Sequence, residues 1–121
     1  MANVLIIEDM SGVRQTLEIM LKGLNHSVTT AVDGDDGLRK ASEASFDLVI
    51  TDIMMPEKDG IDVIMGLKKA GKDLPVIAIS GGGTKVSADD ALSIAEHHAD
   101  TILKKPFTKD ELSQAIQSVL T

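Results

Sequence analysis

The sequence predicts an α/β fold in which five parallel strands, each followed by a helix, form a doubly wound sheet. Five short apolar or β-branched segments alternate with segments whose apolar residues recur every three or four positions. Several strand segments are apolar throughout, which is typical of strands covered on both faces. Strict alternation of such strands and helices favours a parallel sheet with helices on both sides, a (βα)5 arrangement.

The predicted strands are short, and polar residues bound each of them. They cover residues 4–7, 27–32, 46–51, 74–79 and 101–103. The five helices carry apolar residues at helical spacing: Val13, Leu17, Met20, Leu21 and Leu24; Leu38 and Ala41; Ile61, Ile64 and Leu67; Ala91, Leu92 and Ala95; Leu112, Ile116, Val119 and Leu120. The beginning of the last helix is the best marked, because Thr108 and Glu111 have the spacing of a capping box.

Length and composition exclude several classes of protein. The 121 residues contain no linker-like stretch, so we expect one domain across residues 1–121. The lack of Cys excludes disulfide frameworks and thiolate metal sites. A formal net charge of −7, with two Phe and no Tyr or Trp, argues against direct nucleic-acid binding. We find no signal peptide and no apolar run long enough for membrane insertion, so we expect a cytoplasmic protein.

Polar side chains follow four of the five predicted strands. Glu8 and Asp9 follow the first strand, Asp52 the third, Ser80 the fourth and Lys105 the fifth. Because the carboxyl ends of parallel strands meet at one edge, where such sheets bind ligands, we expect these side chains to lie together. Three carboxyl groups this close are tolerated only if some of them stay protonated or a hard cation lies among them, and oxygen ligands suit Mg²⁺.

This set of side chains is suited to phosphoryl transfer onto a carboxylate. Asp52 is the candidate nucleophile, since an aspartyl phosphate is a known covalent intermediate. A metal ion and the Lys105 ammonium would stabilise charge on the phosphoryl oxygens, and Ser80 would supply a hydroxyl. We therefore predict Asp52, Lys105 and Ser80 as the reacting and assisting groups.

Four short motifs resemble those of the receiver domain of bacterial two-component response regulators. They are Glu8-Asp9, Asp52-Ile53-Met54-Met55-Pro56 with Asp59-Gly60, Ser80-Gly81, and Lys105-Pro106-Phe107. The resemblance covers the whole chain in order and spacing. It implies a flavodoxin-like, CheY-like fold with strand order 2-1-3-4-5.

The resemblance also implies a role for each site residue. Asp52 would be the phosphoacceptor, and the implied Mg²⁺ ligands are Asp9, Asp52, Glu8 through water, and the backbone carbonyl of Met54. Lys105 would pair with the phosphoryl group. Ser80 would move to donate a hydrogen bond to it, altering the face formed by the helix around residues 91–95, the last strand and the last helix. The Lys105-Pro106 peptide bond is expected to be cis.

As a member of this family the chain would be a single-domain response regulator without an output domain. It would take phosphoryl from a phosphohistidine of a sensor histidine kinase or a histidine phosphotransfer protein, and would signal to a further protein target. Such a chain is a switch that catalyses only its own phosphorylation and dephosphorylation. The donor is expected to dock on the first helix around Val13 and Leu17, and at the Pro106-Phe107 turn.

Two features depart from the family pattern. Ile102 stands where members often have an aromatic residue, so the usual coupling of a ring to Ser80 cannot operate in that form. Three glycines at residues 81–83 predict a loop that is mobile and that orders on phosphorylation.

Two other functions fit the residues less well. A small-molecule phosphohydrolase or phosphotransferase acting through an aspartyl phosphate would resemble haloacid dehalogenase-like enzymes. Those enzymes place the nucleophile after the first strand, with a second Asp two residues later, whereas Asp52 follows the third strand and 121 residues leave no room for a substrate cap. An interaction module independent of phosphorylation would not need the acids or Lys105.

Overall fold

Five strands and four helices make up the described part of the chain. The computed structural model describes residues 2–52, 60–69, 74–80 and 99–120. In chain order the elements are β1 (Asn3–Ile7), α1 (Ser11–Gly23), β2 (Ser27–Ala31), α2 (Gly34–Glu43), β3 (Leu48–Asp52), α3 (Gly60–Lys69), β4 (Val76–Ser80), β5 (Thr101–Lys104) and α4 (Lys109–Leu120). The predicted helix around residues 91–95 and the glycine run at 81–83 lie outside the described residues. Among the described helices, none has the length and apolar character needed to cross a bilayer.

The strands form one parallel sheet in the order β2-β1-β3-β4-β5. This confirms both the predicted doubly wound class and the strand order that the family resemblance implied. The order reverses beside β1, which pairs with β2 on one side and with β3 on the other. Ligands of such sheets bind outside the carboxyl ends of the strands next to this reversal.

Apolar layers cover both faces of the sheet. On one face, α1 and α4 pack through Leu17, Leu21, Leu112 and Ile116. On the other face, α2 and α3 pack through Ala41, Val63, Ile64 and Leu67. Every residue of β3 is buried, as expected for a central strand that is covered on both sides.

Helix α2 approaches β1 closely at Gly37. A Cβ atom at this position would lie 2.3 Å from Cδ1 and 2.6 Å from Cγ1 of Ile7. Two carbon atoms cannot come so near, so any larger residue would force Ile7 or the helix to move. Glycine at position 37 therefore allows α2 to lie directly against the strand that leads into Glu8.

At the end of the sheet where the strands begin, which we call the amino edge, two aspartates each make the same pair of hydrogen bonds. Asp47 accepts from the Asn3 backbone N–H through Oδ2 at 2.8 Å, and its own N–H donates to the Asn3 carbonyl at 2.8 Å. Asp100 accepts from the Val76 N–H at 2.8 Å and donates to the Val76 carbonyl at 2.9 Å. Each aspartate thus provides a hydrogen-bond partner for both the N–H and the carbonyl of the first residue in the neighbouring strand.

The ends of several elements differ slightly from the predicted ones. β3 begins at Leu48 rather than at Phe46, and Asp52 is its last residue. The buried Phe46 ring belongs to the apolar layer that α2 and α3 form on the sheet. The capping box of α4 is confirmed: the Thr108 N–H donates to Glu111 Oε1 at 2.9 Å, and the Glu111 N–H donates to Thr108 Oγ1 at 3.1 Å. The Lys105-Pro106 peptide bond is cis, as expected.

Candidate functional site

The register of the strands brings the predicted site residues to one edge of the sheet. Ile7 of β1 lies opposite Thr51 of β3, so the next residues, Glu8 and Asp52, lie side by side. Asp52 lies opposite Ile79 of β4, and β4 pairs in turn with β5. The chain therefore reaches the same edge again just before Lys105.

Three acids and one lysine meet at this edge. One carboxylate oxygen from each of Glu8, Asp9 and Asp52 lies within 4.8 Å of the other two. Lys105 Nζ lies 3.1 Å from Asp52 Oδ2 and 4.0 Å from Glu8 Oε2. The structure thus places four of the predicted site residues in a single cluster.

The cluster is largely shielded from solvent. Glu8 is fully buried, Asp52 is 5% exposed, and the Lys105 side chain is 22% exposed. Asp9 is half-buried and forms the outer side of the cluster. A charge on Asp52 is therefore stabilised chiefly by groups of the protein, and the lysine contact supplies a direct counter-charge.

Burial and neighbouring charge act strongly on Glu8. Burial raises the pKa of Glu8 to about 8, and the adjacent Asp52 carboxylate acts in the same direction. The Lys105 ammonium and the Met10 N–H lower the pKa of Glu8, but by less. The Met10 N–H donates to Glu8 Oε1 at 3.3 Å, while the buried Glu8 Oε2 has no hydrogen-bond partner among the described residues.

These residues fit a hard divalent cation. The cluster offers only oxygen donors from three acids, which is the donor type that Mg²⁺ prefers. A cation near Glu8 Oε2 would also satisfy a buried atom that accepts no hydrogen bond from the described part of the chain. The arrangement can therefore hold a metal ion beside the Asp52 carboxylate.

Of the remaining predicted site residues, Ser80 is placed by its backbone alone and Met54 is not placed. Ser80 is the last residue of β4, where its backbone pairs with Lys104, and its side chain lies outside the described part of the structure. Met54, whose backbone carbonyl is the fourth predicted metal ligand, lies outside the described residues altogether. Their roles therefore stay predictions.

Sequence reasoning missed Arg14, which contacts the acidic segment directly. Arg14 Nη1 donates to the carbonyl oxygen of Glu8 at 2.8 Å and to that of Asp9 at 3.5 Å. One signal was present: Arg14 is a cation in the first turn of α1, where the helix dipole disfavours positive charge and no acid compensates it. An arginine at such a position needs another partner.

The expected donor-docking residues on α1 need correction. Leu17 is 1% exposed and packs in the core with Leu21, so its side chain is not available to a donor. Val13 and Phe107 are half-buried against the same apolar layer. The exposed apolar side chains of this region are instead Met10 and Ile19, which are 59% and 71% exposed.

Residue 102 lies in β5, an outermost strand of the sheet. Ile102 lies in β5 opposite Ala78 of β4 and is half-buried. An aliphatic side chain has no ring that can swing between two packed positions. Any coupling between Ser80 and β5 therefore depends on other groups.

A family model supports the fold and the site. The model for the response regulator receiver domain matches residues 4–117. The transcriptional regulatory protein PrrA of Mycobacterium leprae (strain TN) is 37% identical over 117 residues, which cover 97% of this chain and 49% of that protein. The cell cycle transcriptional regulator CtrA of Caulobacter vibrioides (strain NA1000 / CB15N) is 34% identical, with the same coverage. The chain spans about half the length of these relatives.

Solved structures of receiver domains share the fold. A response regulator receiver domain protein from Clostridium thermocellum has a TM-score of 0.88 at 34% identity, with 99% of this chain and 94% of that chain covered. The receiver domain of sensor histidine kinase PA1611 from Pseudomonas aeruginosa PAO1 has a TM-score of 0.87 at 25% identity, with 98% and 97% covered. That structure has a magnesium ion coordinated in its active site cleft. With the acidic cluster and Lys105 at the carboxyl edge of the sheet, these likenesses show that the chain belongs to the response regulator receiver domain family of two-component signal transduction.

Proposed function

We propose that this receiver domain accepts a phosphoryl group on Asp52 from a phosphohistidine of a sensor histidine kinase or a histidine phosphotransfer protein. The observation that carries the proposal is the position of Asp52. Its nearly buried carboxylate ends the central strand, 3.1 Å from Lys105 Nζ and within 4.8 Å of two further acids. The combination of burial, a lysine contact and two neighbouring acids distinguishes Asp52 from a solvated surface acid.

The transfer itself needs little from the protein beyond positioning and charge. A carboxylate oxygen of Asp52 forms a bond to phosphorus while the phosphorus–nitrogen bond of the donor breaks, and the electron pair of that bond stays on the imidazole nitrogen. Lys105, now paired with Asp52, would remain beside the same oxygen and stabilise the charge on the phosphoryl group. Hydrolysis at the same site would return Asp52 to its starting state.

Mg²⁺ would be held by Glu8, Asp9 and Asp52, with the backbone carbonyl of Met54 as a further ligand. When bound, it would supply positive charge to the phosphoryl oxygens. The support from this chain is the set of three acids and the buried Glu8 Oε2, which has no hydrogen-bond partner among the described residues. The magnesium ion in the PA1611 receiver structure supports the choice of metal.

The signal would leave through a change of shape. Ser80 would donate a hydrogen bond to the phosphoryl group, and movement at the end of β4 would alter the face formed with β5 and α4. The receptor of this signal is proposed to be another protein rather than nucleic acid, in keeping with the charge of −7. The domain would thus act as a cytoplasmic switch that modifies only itself.

Intact-protein mass spectrometry after incubation with acetyl phosphate tests the proposal. We expect one phosphoryl adduct on the native chain, formed with Mg²⁺ and not in EDTA. The Asp52→Asn variant should form none, because the amide is a far poorer nucleophile. Asp47→Asn is the matched control, since Asp47 lies at the opposite edge of the sheet, and it should be modified as fast as the native chain.

Two results would contradict the proposal. An adduct that persists in Asp52→Asn would place the acceptor elsewhere. Lack of an adduct on the native chain, with acetyl phosphate and with a phosphorylated histidine kinase, would favour an interaction module independent of phosphorylation. Repeated turnover of a small phosphate ester would instead favour the hydrolase alternative, which the family match does not support.

A further inference from the structure

Arg14 connects the beginning of α1 to the segment that carries two of the three clustered acids. Its side chain reaches back over the start of the helix, and Nη1 donates to the Glu8 carbonyl at 2.8 Å and to the Asp9 carbonyl at 3.5 Å. On its other side this segment is fixed to the sheet, because the Glu8 N–H donates to the Ala31 carbonyl at 3.1 Å. The backbone between β1 and α1 is therefore held from two directions.

We propose that Arg14 is a positioning residue that aligns the carboxylates of Glu8 and Asp9 for the divalent cation. The proposal rests on the function proposed above, since it concerns the same metal site. Arg14 would not ligate the ion. It acts on the carboxylates through the backbone between them.

The peptide bond between Asp9 and Met10 transmits the effect. In a trans peptide the carbonyl and the N–H point in opposite directions. Arg14 approaches the Asp9 carbonyl on one side of this peptide, and the Met10 N–H on the other side donates to Glu8 Oε1 at 3.3 Å. The guanidinium therefore orients and polarises the peptide whose N–H holds the Glu8 carboxylate.

Helix stability does not explain the position of Arg14. The N-cap residue Met10 makes no side-chain cap, and a cation near a helix N-terminus opposes the helix dipole. The contacts with the two carbonyl oxygens are the interactions that offset this cost. They belong to the segment before the helix and not to the helix itself.

The positioning effect and the effect of charge have opposite signs. A positive charge near a metal site repels the cation, so charge alone predicts that removing Arg14 strengthens Mg²⁺ binding. Loss of positioning predicts the reverse, because groups that orient metal ligands typically change metal affinity by about 10-fold to 100-fold. The direction of the change therefore separates the two explanations.

The test is the Mg²⁺ affinity of the full chain, measured without any phosphoryl donor by following backbone amide shifts in an NMR titration. We expect Arg14→Met to bind Mg²⁺ about 10-fold more weakly than the native chain. Arg14→Lys keeps the charge and one donor group, so its affinity should lie between the two. Arg39→Met is the matched control: Arg39 is an exposed α2 residue paired with Asp36 and Glu43, and its loss should leave the affinity unchanged.

Thermal unfolding in EDTA checks that each variant is folded, and Arg14→Lys serves as the test if Arg14→Met does not fold. Unchanged or tighter Mg²⁺ binding by the folded Arg14→Met chain would overturn the inference, and so would an equal loss in Arg39→Met. Those results would leave the proposed function intact if the native chain still binds Mg²⁺ and is modified on Asp52. A native chain that does not bind Mg²⁺ would overturn both.

Discussion

The two edges of the sheet use the same kind of residue for opposite purposes. At the amino edge, Asp47 and Asp100 stand apart, and each exchanges two hydrogen bonds with the first residue of a neighbouring strand. At the carboxyl edge, Glu8, Asp9 and Asp52 converge within 4.8 Å of one another. The acids of the amino edge have backbone hydrogen-bond partners. Those of the carboxyl edge lie close together, so a bound cation would reduce the repulsion between them.

This difference shows how to separate structural acids from functional ones. A structural acid accepts hydrogen bonds from backbone groups that would otherwise lack a partner, and its removal affects stability. A functional acid is held near like charges by the rest of the fold, which is unfavourable without a cation. We therefore expect substitutions at the carboxyl edge to change phosphoryl transfer and Mg²⁺ binding, and substitutions at the amino edge to change stability alone.

Lys105→Met should slow phosphoryl adduct formation about 100-fold, because it removes the ammonium that lies 3.1 Å from Asp52 Oδ2. Time-resolved intact-protein mass spectrometry with acetyl phosphate and Mg²⁺ measures the rate. Lys104→Met is the matched control, since Lys104 is the exposed preceding residue. A Lys105→Met rate within about twofold of the native rate would remove Lys105 from the mechanism.

Mg²⁺ should stabilise the native chain through the carboxyl edge alone. At a concentration about 100 times the dissociation constant, the ion raises the free energy of unfolding by about 2.7 kcal/mol. We expect most of this gain to disappear in Asp9→Asn and to persist in Asp47→Asn, because only Asp9 lies in the acidic cluster. Urea unfolding of the native chain and of both variants, with Mg²⁺ and with EDTA, gives the six values, and an equal gain in both variants would place the ion elsewhere.

Asp100→Ala should reduce the free energy of unfolding by about 1 kcal/mol, since the Val76 N–H loses its acceptor at 2.8 Å. Asp100→Asn keeps an oxygen at the same position and should lose less. Chemical denaturation measures both variants. Neither should alter the rate of phosphoryl adduct formation, and a slower rate in either would mean that the two edges are coupled.

His26 should give the smallest effect, a fall in stability as the solution becomes acidic. Burial holds the pKa of His26 below its usual value, and the ring accepts a hydrogen bond at Nδ1 from the Ala2 N–H at 3.0 Å. The unfolded chain takes up a proton near pH 6.5 before the folded chain does, so this contribution is complete above about pH 6.5 and is lost as the pH falls below it.

Urea unfolding of the native chain and of His26→Gln, at about pH 7.5 and about pH 5.5, isolates this contribution. The other titrating groups are common to both proteins, so the native chain should lose more stability than the variant. An equal loss in both would show that folding does not lower the pKa of His26.

The fold was predictable from the sequence because each strand carries its own signal. β3 is apolar up to Thr51 and is buried on both faces, so its pattern alone distinguishes a central parallel strand. The capping box at Thr108 and Glu111 marked α4 for a similarly local reason. Phe46 was misassigned to the strand because an apolar ring before a strand resembles the strand itself, although it packs from the preceding loop.

The site was predictable only as far as it follows from the ends of strands. Glu8, Asp9, Asp52 and Lys105 come together because parallel strands share an edge, and no distant contact is needed to infer this. The contact of Arg14 depends on the direction in which α1 leaves β1, which no local pattern encodes. The family resemblance predicts that Leu17 lies on the docking surface, whereas its spacing to Leu21 indicates the core. In the structure Leu17 packs in the core.

The close approach of α2 to β1 at Gly37 links this helix to the position of the acidic cluster. Ile7, which a side chain at position 37 would displace, is the residue immediately before Glu8. The distance between α2 and the sheet therefore affects the position of Glu8. Changing the volume at position 37 would adjust the geometry of the site from a buried position outside the acidic cluster.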